Sequence, residues 1–161
     1  MLEVDSNQAG IENGDRVIVM PYLSCGNCFS CSNGNTNCCS ELKVLGVHTD
    51  GGMQQQITVP VKFLLKANHL SLDQIVIVEP LAIGAHAIRR AQLKKGETVV
   101  VMGCGPIGIG LMKLADLSGA RVIAMDVDQS RLDYVRDKLG IEDVVNASER
   151  PLEIVSELTK G

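Results

Sequence analysis

The stretch from Thr98 to Asp126 limits what this chain can fold into more than any other part of it. It opens on Thr98-Val99-Val100-Val101-Met102, a β-branched apolar run that reads as a strand buried on both faces. Gly103-Cys104-Gly105-Pro106-Ile107-Gly108 follows at once, with the pattern G-x-G-x-x-G. Ile107, Leu111, Leu114, Ala115 and Leu117 then recur near helical spacing, and Gly119 is placed to cap the helix. A second apolar run, Arg121-Val122-Ile123-Ala124-Met125, delivers Asp126. Strand, glycines, helix, strand and acid, in that order, are the parts of a dinucleotide-binding βαβ unit. The first glycine allows the tight turn, the second opens the backbone to a pyrophosphate, and the third lets the helix approach the strand. The helix start offers free N–H groups and a positive dipole end to phosphate. Asp126 falls close to the ~20-residue spacing at which a carboxylate accepts hydrogen bonds from a ribose. Gly103, Gly105, Pro106, Ile107, Gly108 and Asp126 are the candidate cofactor-binding residues.

With 161 residues, the chain is long enough for one ordinary domain or two partial ones. Aromatic residues make up only 2% of it, so the core must be built from Val, Ile, Leu, Ala and Met. The formal charge of -4, with no basic cluster, argues against nucleic acid and anionic membrane as partners. No apolar run approaches a membrane span, and Met1 to Asp5 lacks the features of a signal peptide. A cytoplasmic location is expected. There, six cysteines are better read as metal ligands or free thiols than as disulfides.

The two halves differ in kind. Val17-Ile18-Val19-Met20 reads as a strand, and residues 44–60 as short strands, with Ile57-Thr58-Val59 the clearest. Ile75 to Val78 is an apolar run entering Glu79-Pro80, and Leu81 to Ala91 has helical composition. Beyond Thr98 the order is strand 98–102, helix 106–118, strand 121–126, helix 129–138, strand 143–145 and helix 151–160. The change of pattern near Glu79 suggests two domains, 1–79 and 80–161. Between them in character lies the polar loop from Cys25 to Cys39, with almost nothing apolar beyond Phe29. It cannot build a core, so something else must order it. Cys25, Cys28, Cys31 and Cys39 give C-x2-C-x2-C-x7-C, a set able to close a tetrahedral shell around zinc. Such a shell has no open position and would fold the loop rather than activate water. By spacing alone Cys38 could replace Cys39, and disulfides or idle thiols are the competing readings. Cys104 reads as a small residue filling the strand–helix junction.

Taken together, these features resemble the zinc-dependent medium-chain alcohol dehydrogenases, in the polyol and sugar-acid branch. Gly14-Asp15-Arg16-Val17 is similar to the family's G-D-R-V, and the four cysteines match its structural-zinc loop. Val78-Glu79-Pro80-Leu81 with His86 and Arg89-Arg90 resembles its E-P-L…H…R-R segment. Gly103 to Gly108 resembles G-x-G-P-I-G, with Asp126 and Arg131 as the following D-x4-R. Gly46-Val47-His48-Thr49-Asp50-Gly51-Gly52 is most like the sugar-acid branch. The resemblance implies an α/β chain: part of a GroES-like β-barrel carrying the zinc loop, then the first half of a Rossmann domain. It implies hydride transfer from a small alcohol to a nicotinamide cofactor, with Glu79 beside a second, catalytic zinc. Asp126 implies NAD over NADP, because a carboxylate repels a 2′-phosphate. Arg131 would lie near the adenine or simply begin a helix. His48 would line the substrate mouth or, as is commoner for a lone loop histidine, simply be solvated, and His86 would pack at a domain junction. Family members form homo-oligomers. Their catalytic zinc also uses an N-terminal cysteine and a G-H-E segment ahead of the G-D-R-V turn, and neither occurs here. The expectation is therefore a segment of a dehydrogenase, inactive in isolation. The alternative is a non-catalytic, zinc-stabilised dinucleotide-binding module.

Overall fold

The structure is a computed structural model that describes Met1 and residues 3–161. The chain divides into two compact units, Met1–Val76 and Ile77–Gly161, and each is treated separately.

The first unit is held together by short ladders and polar side chains. Strand β1 (Val17–Val19) pairs antiparallel with β4 (Leu64–Lys66), Ile18 facing Leu65. Beyond the ladder, Met20 N donates to Phe63 O at 2.8 Å. Strands β2 (Tyr22–Leu23) and β3 (Lys43–Val44) pair as a two-residue stem. The stem closes a loop containing helix α1 (Phe29–Ser32) and a tight 3-10 turn, Thr36–Cys38. Ile11, Phe63, Leu64 and Ala67 are buried. Asp15 is buried as well, at 7% exposure, and its carboxylate accepts from Glu12 N (2.8 Å), Asn68 Nδ2 (2.7 Å) and Lys66 Nζ (2.9 Å). That cluster pins the turn before β1 to the end of β4. The unit closes with α2 (Leu72–Val76).

Ile57-Thr58-Val59 corrects the sequence expectation, for it forms no strand. A strand exists through its ladder bonds, and β1 takes β4 as its partner. The β-branched segment instead lies across an open groove from Val17, Val19 and Leu64.

In the second unit, apolar periodicity maps onto elements almost directly. Helix α3 (Val78–Ala91) leads into β5 (Thr98–Met102), α4 (Pro106–Leu117) and β6 (Arg121–Asp126). Then come α5 (Gln129–Tyr134), a π-type turn (Val135–Leu139), β7 (Asp143–Asn146) and α6 (Pro151–Thr159). The three strands form one parallel sheet in the order β5-β6-β7. Val101, Met112, Ala115, Val122, Ala124, Leu132 and Val135 form the core between sheet and helices. Ile123 points opposite to its neighbours yet has 0% exposure, so β6 is covered on both faces.

Two expectations are corrected here. β5 is not buried on both faces: Thr98 and Met102, on the face opposite the buried Val101, are exposed, Met102 at 81%. The helix expected from Leu81 begins at Val78, placing Glu79 and Pro80 in its first turn. Proline is accommodated there because first-turn N–H groups have no helical partner to lose. Gly119 caps α4 as expected, with φ of 80° and with Ala120 N donating back to Ala115 O at 3.2 Å.

Candidate functional site

Two groups of candidate residues are brought together by the fold, one in each unit.

The glycine turn joins β5 to α4. Gly103 has φ of +100°, a conformation that side chains resist, so the chain can reverse there. A Cβ added to Gly108 would sit 1.8 Å from the Gly103 carbonyl oxygen, so only a hydrogen fits where α4 meets the turn. At Gly105 an added Cβ would meet nothing within 4 Å. This residue is the extended N-cap of α4, and Pro106 supplies the fixed φ of the first helical position. The start of α4 therefore presents open space over free N–H groups, which suits a phosphate. Ile107, in the first turn, is half exposed at 51%.

Asp126 closes the group from the end of β6. Its carboxylate is nearly buried, with Oδ2 accepting from Cys104 N at 2.6 Å and Oδ1 from Asp128 N at 2.9 Å. Those N–H groups hold its carboxyl below the usual carboxylate range, the Cys104 amide most strongly and Arg131 as a lesser contributor. A carboxylate has about four acceptor sites, more than these two bonds use. Arg131 sits at the rim, its Nη1 4.0 Å from Asp126 and its Nε 3.7 Å from Asp128. Residue-type reasoning gave Cys104 only a space-filling role, yet its backbone N–H holds the acid in place. A backbone donor leaves no mark in residue identity. Asp128 had a usable signal: as N-cap it accepts from Ser130 N, the Asp-x-Ser pattern of a helix start.

In the first unit, the β2–β3 stem gathers Cys25, Cys28, Cys31 and Cys39. Their sulfurs all lie within 4.8 Å of one another. Zn–S bonds of ~2.3 Å in a tetrahedron would set sulfurs ~3.8 Å apart, so the set fits a four-thiolate zinc shell. Backbone N–H groups already point at the sulfurs, as charged thiolates require. Cys25 N donates to Cys39 Sγ at 3.3 Å and Glu41 N does so at 3.4 Å. The Cys31 and Ser40 amides hold the Cys28 thiol down to about 6. The Gly26 amide favours the Cys31 thiolate, but burial and the neighbouring sulfurs outweigh it and push that thiol up to about 12. Cys38 lies outside the cluster, exposed, with Asn37 Nδ2 at 3.4 Å from its sulfur. All six cysteines are free thiols.

The remaining candidates stand apart. Glu79 is exposed in the first turn of α3, and among the described residues it belongs to no group of three or more potential metal ligands. His48 accepts from Val44 N at 3.0 Å through Nδ1, which fixes the ring beside the cleft of Ser24, Glu41 and Lys43. His86 is exposed and lies 3.2 Å from Arg89 Nη2.

Two family models match this arrangement: the alcohol dehydrogenase GroES-like domain over residues 1–69, and the zinc-binding dehydrogenase over residues 106–161. The chain belongs to the zinc-type alcohol dehydrogenase family. An uncharacterised zinc-type alcohol dehydrogenase-like protein of Haemophilus influenzae is 46% identical over 154 residues, 94% of this chain and 45% of that protein. The L-galactonate-5-dehydrogenase of Escherichia coli is 42% identical, across 84% of this chain and 40% of that enzyme. The crystal structure of an E. coli alcohol dehydrogenase, RspB, complexed with NADH superposes with a TM-score of 0.83 at 34% identity. That match covers 94% of this chain and 47% of RspB. The chain thus spans less than half the length of these relatives.

Proposed function

We propose that this chain forms the NAD-binding turn and zinc-stabilised lobe of a dehydrogenase that oxidises a secondary alcohol of a polyol or sugar acid. The relatives support the substrate class, since they include L-galactonate-5-dehydrogenase, L-idonate 5-dehydrogenase and sorbitol dehydrogenase. When bound, the nicotinamide accepts the hydride, and the protein's task is to orient it. In this reading Gly103, Gly105, Pro106, Ile107 and Gly108 bind the pyrophosphate against the start of α4. Asp126 accepts from the adenosine ribose, and Arg131 lies beside that end. Cys25, Cys28, Cys31 and Cys39 hold one zinc in a closed shell that orders the loop. Glu79 belongs beside a second zinc, but a catalytic site needs three protein ligands. The 161 residues alone are therefore expected to bind cofactor without oxidising an alcohol.

The observation that carries the reading is the Asp126 carboxylate, held in place by the Cys104 amide at the mouth of a turn with open space over Gly105. The test is calorimetric titration of the purified chain with NADH and NADPH. NADH should bind more tightly, and Asp126→Asn should weaken it by about tenfold, roughly one lost charge-assisted hydrogen bond. NADPH should be little affected, because the repulsion of its 2′-phosphate is lifted at the same time. A chain that binds neither dinucleotide, or does not distinguish them, sinks the proposal. Alcohol oxidation by the purified chain would overturn the reading of Glu79.

A further inference from the structure

The loop from Ser24 to Leu42 carries four clustered thiols and a single acid, Glu41, but no Lys or Arg. A four-thiolate zinc shell has a net charge of −2, which amide donors and nearby cations offset. Lys43, the residue after the loop, lines a cleft with Ser24 and Cys25, and a second lysine approaches from elsewhere in the unit. Lys62 comes from the 3-10 turn Val61–Phe63 that leads into β4. Its Nζ donates to Ser24 O at 3.4 Å and lies 3.5 Å from where a Cβ on Gly26 would be. The same ammonium stands 4.9 Å over the ring of Phe63, a buried residue whose carbonyl accepts from Met20 N at 2.8 Å. The lysine is thus seated on the β1–β4 ladder at one end and on the first turn of the loop at the other.

Residues 24–26 are the part of the loop where such a contact has the most effect. Cys25 is itself one of the four thiols, and its N–H donates to Cys39 Sγ. An amide donor that faces the sulfurs, Cys25 N–H, therefore lies on the turn that Lys62 holds through the Ser24 carbonyl. Groups that orient metal ligands in this way govern how firmly the metal is kept.

We propose that Lys62 is a positioning residue for the metal lobe: it fixes the Ser24–Gly26 turn against the β1–β4 ladder and supplies a cation that offsets the thiolate charge. The inference rests on the reading that the four cysteines hold zinc, and goes beyond it by assigning a residue outside the loop.

The test is the rate at which zinc-loaded chain gives up its metal to a chromophoric chelator, compared for the parent, Lys62→Arg and Lys62→Met. Metal content measured before the chelator is added separates the two claims, because a parent that takes up no zinc refutes the four-cysteine reading itself. If zinc binds, Lys62→Met should release it about tenfold faster, and Lys62→Arg should stay close to the parent. Release from the parent should also quicken as salt rises from about 0.01 M to about 0.5 M, where charges are screened within a few ångströms. Lys62→Met should show a much weaker salt dependence. Parent-like release and salt dependence in Lys62→Met would overturn the inference. Rapid release from Lys62→Arg as well would overturn the charge role. Should Lys62→Met fail to fold, the parent's own salt series decides: release that ignores salt refutes the proposal.

Discussion

Substituting Gly108 by Ala should damage the fold and the cofactor site together, through one peptide group. The new Cβ would lie 1.8 Å from the Gly103 oxygen and 2.9 Å from its carbon. A non-bonded carbon–oxygen contact needs about 3.3 Å, so the oxygen must move by roughly 1.5 Å. That oxygen and the Cys104 N–H belong to the same rigid peptide plane. Turning the plane to free the oxygen swings the N–H away from Asp126 Oδ2, which it now meets at 2.6 Å. The Gly103 amide on the other side is tied to Met125 O at 2.7 Å, so the turn cannot simply slide. A hydrogen bond to a charged group is worth about 1.5–3 kcal/mol, so a loss of about 2 kcal/mol is expected before any residual strain. In a unit of this size that lowers the unfolding midpoint by roughly 10 °C. Hydrogen exchange at the Cys104 amide should accelerate, and NADH binding should be lost.

Gly105→Ala is the control. Its φ of -80° suits any residue, and an added Cβ meets nothing. Stability and Cys104 protection should be unchanged while NADH binding weakens, since the methyl occupies space assigned to the pyrophosphate. If Gly108→Ala unfolds like the parent and keeps its Cys104 amide protected, the peptide-plane argument is wrong.

Two further outcomes follow from the first unit. Cys39→Ser should take zinc content from one per chain to none after dialysis against a weak chelator, whereas Cys38→Ser should keep the full complement; equal loss in both would show that the fourth ligand is misassigned. Asp15 is held down to about 2, first by Asn68 and then by Lys66 and the Glu12 amide, from an ordinary value near 3.8. Because the folded value is the lower one, its stabilisation is complete above the unfolded pKa and fades as the pH falls from about 4 through 2. Thermal unfolding across that window should show a slope that Asp15→Asn flattens, and an unchanged slope would remove Asp15 from the account.

Why one half of the chain was legible and the other was not is itself physical. In the second unit each strand and helix is long enough to express its own period, and Gly103 and Gly108 in the turn each answer to a steric requirement. The first unit has ladders of two or three residues, and its order comes from Asp15, Lys66, Asn68 and the cysteines, contacts that local pattern cannot express. Ile57 to Val59 misled because β-branched residues favour an extended chain but cannot supply a partner. Pro80 suggested a boundary three residues too late, at Leu81 rather than Val78, because a proline is tolerated in the first turn of a helix. Cys38 and Cys39 could not be separated by spacing, and it took the turn at Thr36–Cys38 to direct one sulfur inward and the other out. Lys62 had no signal at all, since it reaches the loop across a separation of 38 positions in sequence.

The bare margin of β5 has a consequence for anything that settles on the glycine turn. That turn opens at the carboxyl end of β5, the outermost strand of its sheet. On one flank stand β6 and Asp126. On the other, among the described residues of this unit, no strand is paired. In the proposed reading, β6 and Asp126 are therefore what this sheet sets beside the adenosine end of a dinucleotide, and the three strands add no second partner strand beyond β5 among the described residues of this unit.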